Sequence, residues 1–192
     1  MLGLFSFYVS ETFVRADGAF VPFSHSFDLS KVTTEVKGLG EMGDIFTIDL
    51  QDPVSKIVGK KVVKVGRSSG LTRGTIMAYG LEYNDEKGIC LFTDFLVIGE
   101  HNKQAFDLEG DSGSLILMVG GEEEEDKPRP VGMIWGGTAN RGCLKLHNGY
   151  GPENWTSGVD LGNLLEWLQL DLITSDAMLK GNLKLSYHVH AL

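Results

Sequence analysis

A serine lies between two glycines at residues 110–113, which read Gly110-Asp111-Ser112-Gly113. The apolar run at residues 114–119 follows directly and predicts a β-strand. Glycines leave the backbone free to turn tightly and let a substrate carbonyl approach closely. The backbone amides of Gly110 and Ser112 would then point at one spot and form an oxyanion hole. The motif therefore predicts Ser112 as a nucleophile.

The base that such a serine needs is missing from its expected place. A serine nucleophile requires an imidazole base, and a carboxylate must orient that base. Asp17 is the candidate carboxylate, because chymotrypsin-like chains carry base, acid and serine in that order. The chain has five histidines, and none of them precedes Asp17. His25 is a less favoured alternative base, since it follows the acid and lies in a polar Ser-His-Ser stretch.

Longer stretches of the chain carry a resemblance to a known family. These stretches are Glu11–Gly18, Lys64–Thr72, Phe106–Ser112, Pro130–Gly137 and Glu153–Asp160. Together they closely resemble the plant narrow-leaf-type trypsin-like serine proteases, which are intracellular regulators of growth and vascular patterning. The similarity runs from about residue 11 to about residue 175. Residues 1–10 and the tail after residue 177 do not resemble the family, and the part that carries the triad histidine is missing, so we expect a truncated chain.

The resemblance implies a fold and a domain organisation. It implies an all-β-dominated, trypsin-like (chymotrypsin-type) β-barrel, made mostly of the second barrel plus the end of the first, with a C-terminal helix. Residues 1–50 are expected to be a remnant of the first barrel and the inter-barrel connection. Residues 51–175 are expected to form the second barrel with its helix, and residues 176–192 a tail.

The resemblance also implies roles for individual residues. Ser112 would be the nucleophile, Asp17 would orient the absent base, and the Gly110 and Ser112 amides would stabilise the oxyanion. Phe106 would help to form the floor of the specificity pocket, where an aromatic ring disfavours a basic P1 side chain. A strand containing Trp135, Gly136 and Gly137 would pair with the substrate backbone.

Asp111 has two interpretations within this resemblance. In secreted trypsin relatives the residue before the serine pairs with a new N-terminus after an activation cleavage. Nothing in this sequence resembles such an activation site, so Asp111 is expected to accept local backbone or side-chain hydrogen bonds.

Three hypotheses about function remain open. In the first, the chain is the serine-bearing part of an intracellular plant serine endopeptidase and is inactive in isolation, because the base histidine is absent. In the second, it is a pseudoprotease, a β-rich binding module that keeps the peptide groove without the chemistry. In the third, a half-built first barrel leaves strand edges unpaired, and the chain does not fold alone.

Composition limits the partners and the compartment. The net charge of −9 argues against nucleic acid or an anionic membrane as the main partner. Two cysteines suit a reducing compartment, and no apolar run is long enough to span a membrane. Composition thus agrees with an intracellular domain, and the resemblance implies a protein of the nucleus and cytoplasm with a protein or peptide substrate, no cofactor and no metal. Homo-oligomerisation stays open.

Local patterns predict the elements that must position the serine. Short runs rich in β-branched and aromatic residues predict strands at residues 61–65, 74–79 and 89–98. Four leucines at helical spacing predict a helix that Asp160 caps, and a weaker helix is predicted from residue 175 to 180. The acidic run at 122–126 is typical of a solvated hairpin tip. The G-x-G-x-x-G pattern at 38–43 is followed by strand-like alternation, which argues against a dinucleotide site.

Overall fold

The protein is described from a computed structural model of the 192-residue chain. The structure describes residues 27–28, 31–49, 51–84, 90–100, 105–120, 127–137 and 155–181. Its elements are β1 (Glu35–Val36), β2 (Gly40–Glu41), a 3-10 turn (Val54–Lys56), β3 (Lys61–Gly66), β4 (Gly70–Asn84), β5 (Cys90–Gly99), β6 (Leu115–Met118), β7 (Arg129–Gly137), β8 (Trp155–Asp160) and α1 (Leu161–Leu168). Residues 176–181 are also helical.

Six of these strands form a closed antiparallel barrel in the order β3-β4-β5-β8-β7-β6. Strands β3, β4 and β5 pair with their neighbours in sequence, whereas β8 comes back to pair with β5. Strand β6 pairs with β3 and closes the barrel. Closure protects the strand edges that an open sheet would expose. The predicted all-β-dominated barrel with a C-terminal helix is confirmed, and its trypsin-like character stays a prediction.

The interior of the barrel is filled by apolar side chains from strands β3 to β7. Val62, Ile76, Phe95, Val97, Ile116, Val131 and Ile134 form its buried core, together with Ile57 and Phe106. Glycines on β7 and β8 make room for the larger of these side chains. A Cβ on Gly132 would lie 3.0 Å from the ring of Phe95, and one on Gly158 would lie 2.6 Å from the Ile116 side chain. Close packing of this kind leaves little tolerance for added volume.

The C-terminal helix begins where the sequence predicts. The Asp160 carboxylate accepts a hydrogen bond from the backbone amide of Asn163 at 3.1 Å, as an N-cap residue does. The same carboxylate accepts a bond from the Tyr79 hydroxyl at 3.0 Å, which ties the cap to the barrel. Leu161 and Leu164 are buried, so this face of α1 packs inwards. The weaker second helix is confirmed at residues 176–181, although it includes Gly181 rather than ending before it.

A segment before the barrel lies along its wall. The backbone amide of Phe46 donates to the Pro130 carbonyl of β7 at 2.8 Å, and Phe46 and Ile48 pack against the core. The glycine pattern at 38–43 forms the β1–β2 turn, where Gly38 and Gly40 have positive φ angles, and residues 42–49 form neither helix nor strand. No helix follows these glycines in the described segment 31–49 that would hold a dinucleotide. The domain boundary at residue 50 stays a prediction.

Candidate active site

The turn that carries the serine is shaped by two glycines and fastened to strand β7. Gly110 has φ 93° and Gly113 has φ 87°, values that side-chain-bearing residues adopt only with strain. The amide of Gly113 donates to the Ile134 carbonyl at 2.7 Å, and the amide of Ile134 donates to the Ser114 carbonyl at 2.9 Å. Ser112 lies between the glycines and is exposed. The predicted nucleophile is therefore held on a tightly defined turn and is open to a substrate.

The two amides predicted to form the oxyanion hole are available. The amide of Asp111 donates to the Leu108 carbonyl at 3.0 Å, and the amide of Gly113 is used on β7. Within the described residues, the amides of Gly110 and Ser112 donate to no acceptor. Backbone amides that are left unpaired at an exposed turn are suited to bind a developing negative charge.

The carboxylate next to the serine is completely buried and saturated with donors. The Asp111 carboxylate accepts bonds from the Lys64 ammonium at 2.8 Å, the Ser69 hydroxyl at 2.6 Å and the Leu108 amide at 3.0 Å. The amides of Ser68 and Ser69 donate to its other oxygen at 2.8 and 3.3 Å. The prediction that Asp111 accepts local hydrogen bonds is confirmed by these contacts.

The environment of Asp111 keeps it ionised. Burial alone would raise the pKa of the Asp111 carboxyl. The hydrogen bonds from Lys64, Ser69 and the Leu108 and Ser68 amides outweigh burial, so the pKa lies below its ordinary value. Gly66 leaves space for this arrangement, because a Cβ there would lie 2.3 Å from a carboxylate oxygen of Asp111.

Lys64 is a functional candidate that the sequence reasoning did not single out. It lies in the middle of β3, with a side chain that is 0% exposed. Its ammonium also contacts the Ser69 hydroxyl and lies 5.9 Å from the centroid of the Phe106 ring. In the sequence Lys64 stands between Val63 and Val65, and this position alone does not indicate its burial, because lysine is almost always exposed unless it is paired.

The proposed pocket-floor residue lies in the core of the barrel. The ring of Phe106 is 1% exposed and belongs to the buried cluster. Its carbonyl accepts a bond from the Thr72 hydroxyl at 2.6 Å. Its role as the floor of a specificity pocket stays a prediction, because residues 101–104 and 138–154 lie outside the described part of the chain.

Asp107 is a second buried acid beside this position. It is 2% exposed, and one of its oxygens accepts a hydrogen bond from the Thr156 hydroxyl of β8. Within the described residues, its Oδ2 has no hydrogen-bond partner. Burial raises the pKa of Asp107, and the bond from Thr156 and the charge of Lys64 offset this only in part. No local sequence pattern predicts this group, because its burial depends on strands that are distant in the chain.

The strand proposed to pair with substrate extends beyond its neighbour. Strand β7 pairs with β6 from Arg129 to Met133, but Gly136 and Gly137 pair with β8 alone among the described strands. A bulge after Ile134 accompanies this change. Gly137 also lies against Asp107, since a Cβ there would come within 2.3 Å of a carboxylate oxygen. On its β6 side this end of β7 has no partner among the described strands, and its pairing with an extended peptide stays a prediction.

Other predicted residues lie outside the described part of the chain. These are Asp17 and the alternative base His25, together with the remaining four histidines. The structure thus places Ser112 and Gly110 next to the end of β7. Asp17, the predicted acid, lies outside the described residues. Among the described residues there is no cluster of three metal-ligating side chains. The same residues contain no helix long and apolar enough to cross a membrane.

Comparisons with known proteins give the family. Over 178 residues the chain is 62% identical to Protein NARROW LEAF 1 of Oryza sativa subsp. japonica, a match that covers 93% of this chain and 30% of that protein. A glutamic acid specific serine protease of known structure aligns with a TM-score of 0.42 at 18% identity, covering 74% of this chain and 56% of that one, and carries no argument here. The family model for the Nal1 C-terminal domain matches residues 1–177, so the expectation that residues 1–10 lie outside the family is wrong. The chain therefore belongs to the Nal1 C-terminal domain family.

Proposed function

We propose that the chain is the serine-bearing part of a plant trypsin-like serine endopeptidase, with Ser112 as its nucleophile. The observation that carries this proposal is an exposed serine on a glycine-shaped turn, in which the amides of Gly110 and Ser112 donate to no acceptor among the described residues. Acyl transfer requires both features, a reachable nucleophile and pre-oriented donors.

The proposed reaction follows the serine–histidine scheme. A histidine takes the proton of the Ser112 hydroxyl as its oxygen attacks the substrate carbonyl. The oxyanion that forms lies against the amides of Gly110 and Ser112. The histidine then donates its proton to the leaving amine, and water releases the acyl group by the same steps in reverse order. Loss of one such donor lowers kcat about 10²- to 10³-fold in a comparable enzyme.

The histidine base is missing from the position that the chymotrypsin-like order of base, acid and serine requires. No histidine precedes Asp17, which we propose orients the base. The chain spans 30% of the length of the rice relative. We propose that the base is a histidine of a longer protein or of a second copy of the chain. No cofactor is required, because proton transfer and covalent catalysis by side chains carry the reaction.

The substrate in this proposal is a protein or peptide in extended conformation. Its backbone would pair with the end of β7 at Trp135, Gly136 and Gly137. Phe106 would lie beneath the P1 side chain and disfavour a basic group. The name of the rice relative supports a role in leaf growth, and we propose action in the nucleus and cytoplasm.

Fluorophosphonate labelling tests the nucleophile. The chain is prepared alone and joined to the part of the rice relative that precedes the matched segment, each with Ser112→Ala as control. We expect labelling of the joined form, little or no labelling of the chain alone, and none of either variant. A folded joined form that takes up no label would contradict the proposal.

A peptide-binding module is the second candidate function. It is favoured by the same extension of β7 combined with the absence of a histidine before Asp17. The two candidate functions are separated by whether the protein binds an extended peptide without cleaving it. A pseudoprotease retains an extended peptide, measured by calorimetry, and Ser112 stays unlabelled in both forms.

A further inference from the structure

The buried ion pair beside the serine is an unusual feature of a barrel core. The side chains of Lys64 and Asp111 are both 0% exposed, and Nζ and Oδ2 are 2.8 Å apart. Removing two charges from water is costly, and apolar side chains of similar volume often serve a core equally well. Val62 and Val63 on the same strand show that β3 uses apolar residues where packing is all that is required. We therefore explain the ion pair by the backbone amides that donate hydrogen bonds to the Asp111 carboxylate.

The Asp111 carboxylate joins two turns of the backbone. Through Oδ1 it accepts the amides of Ser68 and Ser69 in the turn between β3 and β4. Through Oδ2 it accepts the amide of Leu108, three residues before it in the serine turn. Its own carbonyl accepts the amide of Ser114. The backbone on both sides of Gly110 and Ser112 is thus fixed by contacts that involve this one residue.

Lys64 supplies the positive charge in this arrangement. Its ammonium donates both to Asp111 and to the Ser69 hydroxyl, which in turn donates to the same carboxylate oxygen. The position of the ammonium is fixed by the β3 ladder, where Lys64 pairs with Thr72 of β4. The paired strand thus positions the Lys64 side chain, and the Asp111 carboxylate binds the ammonium at its end.

We propose that Lys64 is a positioning residue that holds the oxyanion-binding amides of Gly110 and Ser112 in place through Asp111. This inference rests on the proposed function and deepens it, because it assigns the order of the serine turn to a charge on β3, the strand that pairs with β6. Lys64 touches no substrate; it acts on the turn that does. The Lys64 ammonium thus orders the serine turn, and the turn keeps its geometry while this ammonium stays buried against Asp111.

The substitution Lys64→Met tests the inference. It is made in the isolated chain or in the joined form, whichever takes up the fluorophosphonate label as wild type. Methionine is close to lysine in length and removes the charge. We expect the maximal rate constant of fluorophosphonate labelling to fall about 10²-fold, as when an oxyanion donor is lost, while the concentration giving half-maximal rate is unchanged. The matched control is Lys61→Met on the same strand, where the lysine is 59% exposed and lies 3.7 Å from Glu100. That variant should label at the wild-type rate.

The design separates positioning from stability. The folded fraction of each variant is measured by circular dichroism under the labelling conditions, and rate constants are compared only between variants that are folded, so that a lower rate constant reports displaced amides. A folded Lys64→Met protein that labels at the wild-type rate overturns the inference and leaves the proposed function standing. Should Lys64→Met not fold, the neutral pair Lys64→Met/Asp111→Asn replaces it, and a wild-type rate in that variant also overturns the inference. A folded wild type that does not label in either form overturns both.

Discussion

At the scale of single residues, two buried aspartates give the protein opposite dependences on pH. Burial raises the pKa of Asp107 above its ordinary value of 3.8, so the folded state binds a proton there more readily than the unfolded state. Its contribution to stability therefore increases as pH falls from neutrality through the folded pKa. Asp111 has a lowered pKa, so its contribution is present above 3.8 and is lost as pH falls below that value.

Asp107→Asn should stabilise the protein at neutral pH. The amide resembles the protonated acid and removes the cost of burying an unpaired carboxylate oxygen, which we place at about 1 kcal/mol. Thermal unfolding followed from pH 4 to pH 8 should show the largest gain at the alkaline end and a shrinking gain towards pH 4. The exposed Asp44→Asn is the matched control and should show no gain. A variant that is less stable than wild type at pH 8 would contradict this account.

At the scale of elements, α1 is held against the barrel by one buried face and by its N-cap residue. Leu161 and Leu164 are buried below it, and Asp160 joins its first turn to Tyr79 and to the barrel. An isolated helix of eight residues is too short to be stable in water. Its formation thus depends on packing against the barrel, chiefly against β7, the strand that also carries the proposed substrate edge.

Leu164→Ala should destabilise the protein by about 2–5 kcal/mol, the range for buried leucine truncations. Leu168→Ala is the matched control on the same helix, because Leu168 is 37% exposed and loses far less buried area. Urea unfolding monitored by far-ultraviolet circular dichroism provides the measurement. Equal effects of the two substitutions would mean that α1 does not dock as described.

The elements also show where sequence reasoning succeeds and where it stops. The apolar run after Ser112 predicts a strand, and β6 occupies Leu115–Met118. The cap at Asp160 and the leucine spacing predict α1, because both signals are local. The burial of Lys64 was not predictable, since lysine is almost always exposed unless it is paired. Its partner Asp111 lies 47 residues away, and only the closed barrel brings the two together.

At the scale of the whole molecule, the barrel places the chemistry at one end of its strands. The serine turn precedes β6, the proposed substrate edge ends β7, and the Lys64 charge comes from β3, which β6 joins to close the barrel. Fixing these parts relative to one another costs no further conformational entropy once the barrel has folded. The proposed nucleophile and oxyanion turn thus lie within the folded barrel, whereas no histidine precedes Asp17 to act as the proposed base.

The most direct test of the central claim is to locate the fluorophosphonate adduct by peptide mapping in the joined form. The account predicts a single adduct on Ser112, although Ser68, Ser69 and Ser114 lie in the same or the contacting turn. Ser112→Ala should abolish it. An adduct on one of the other three serines, or a folded protein without any adduct, would contradict the assignment of Ser112 as the nucleophile.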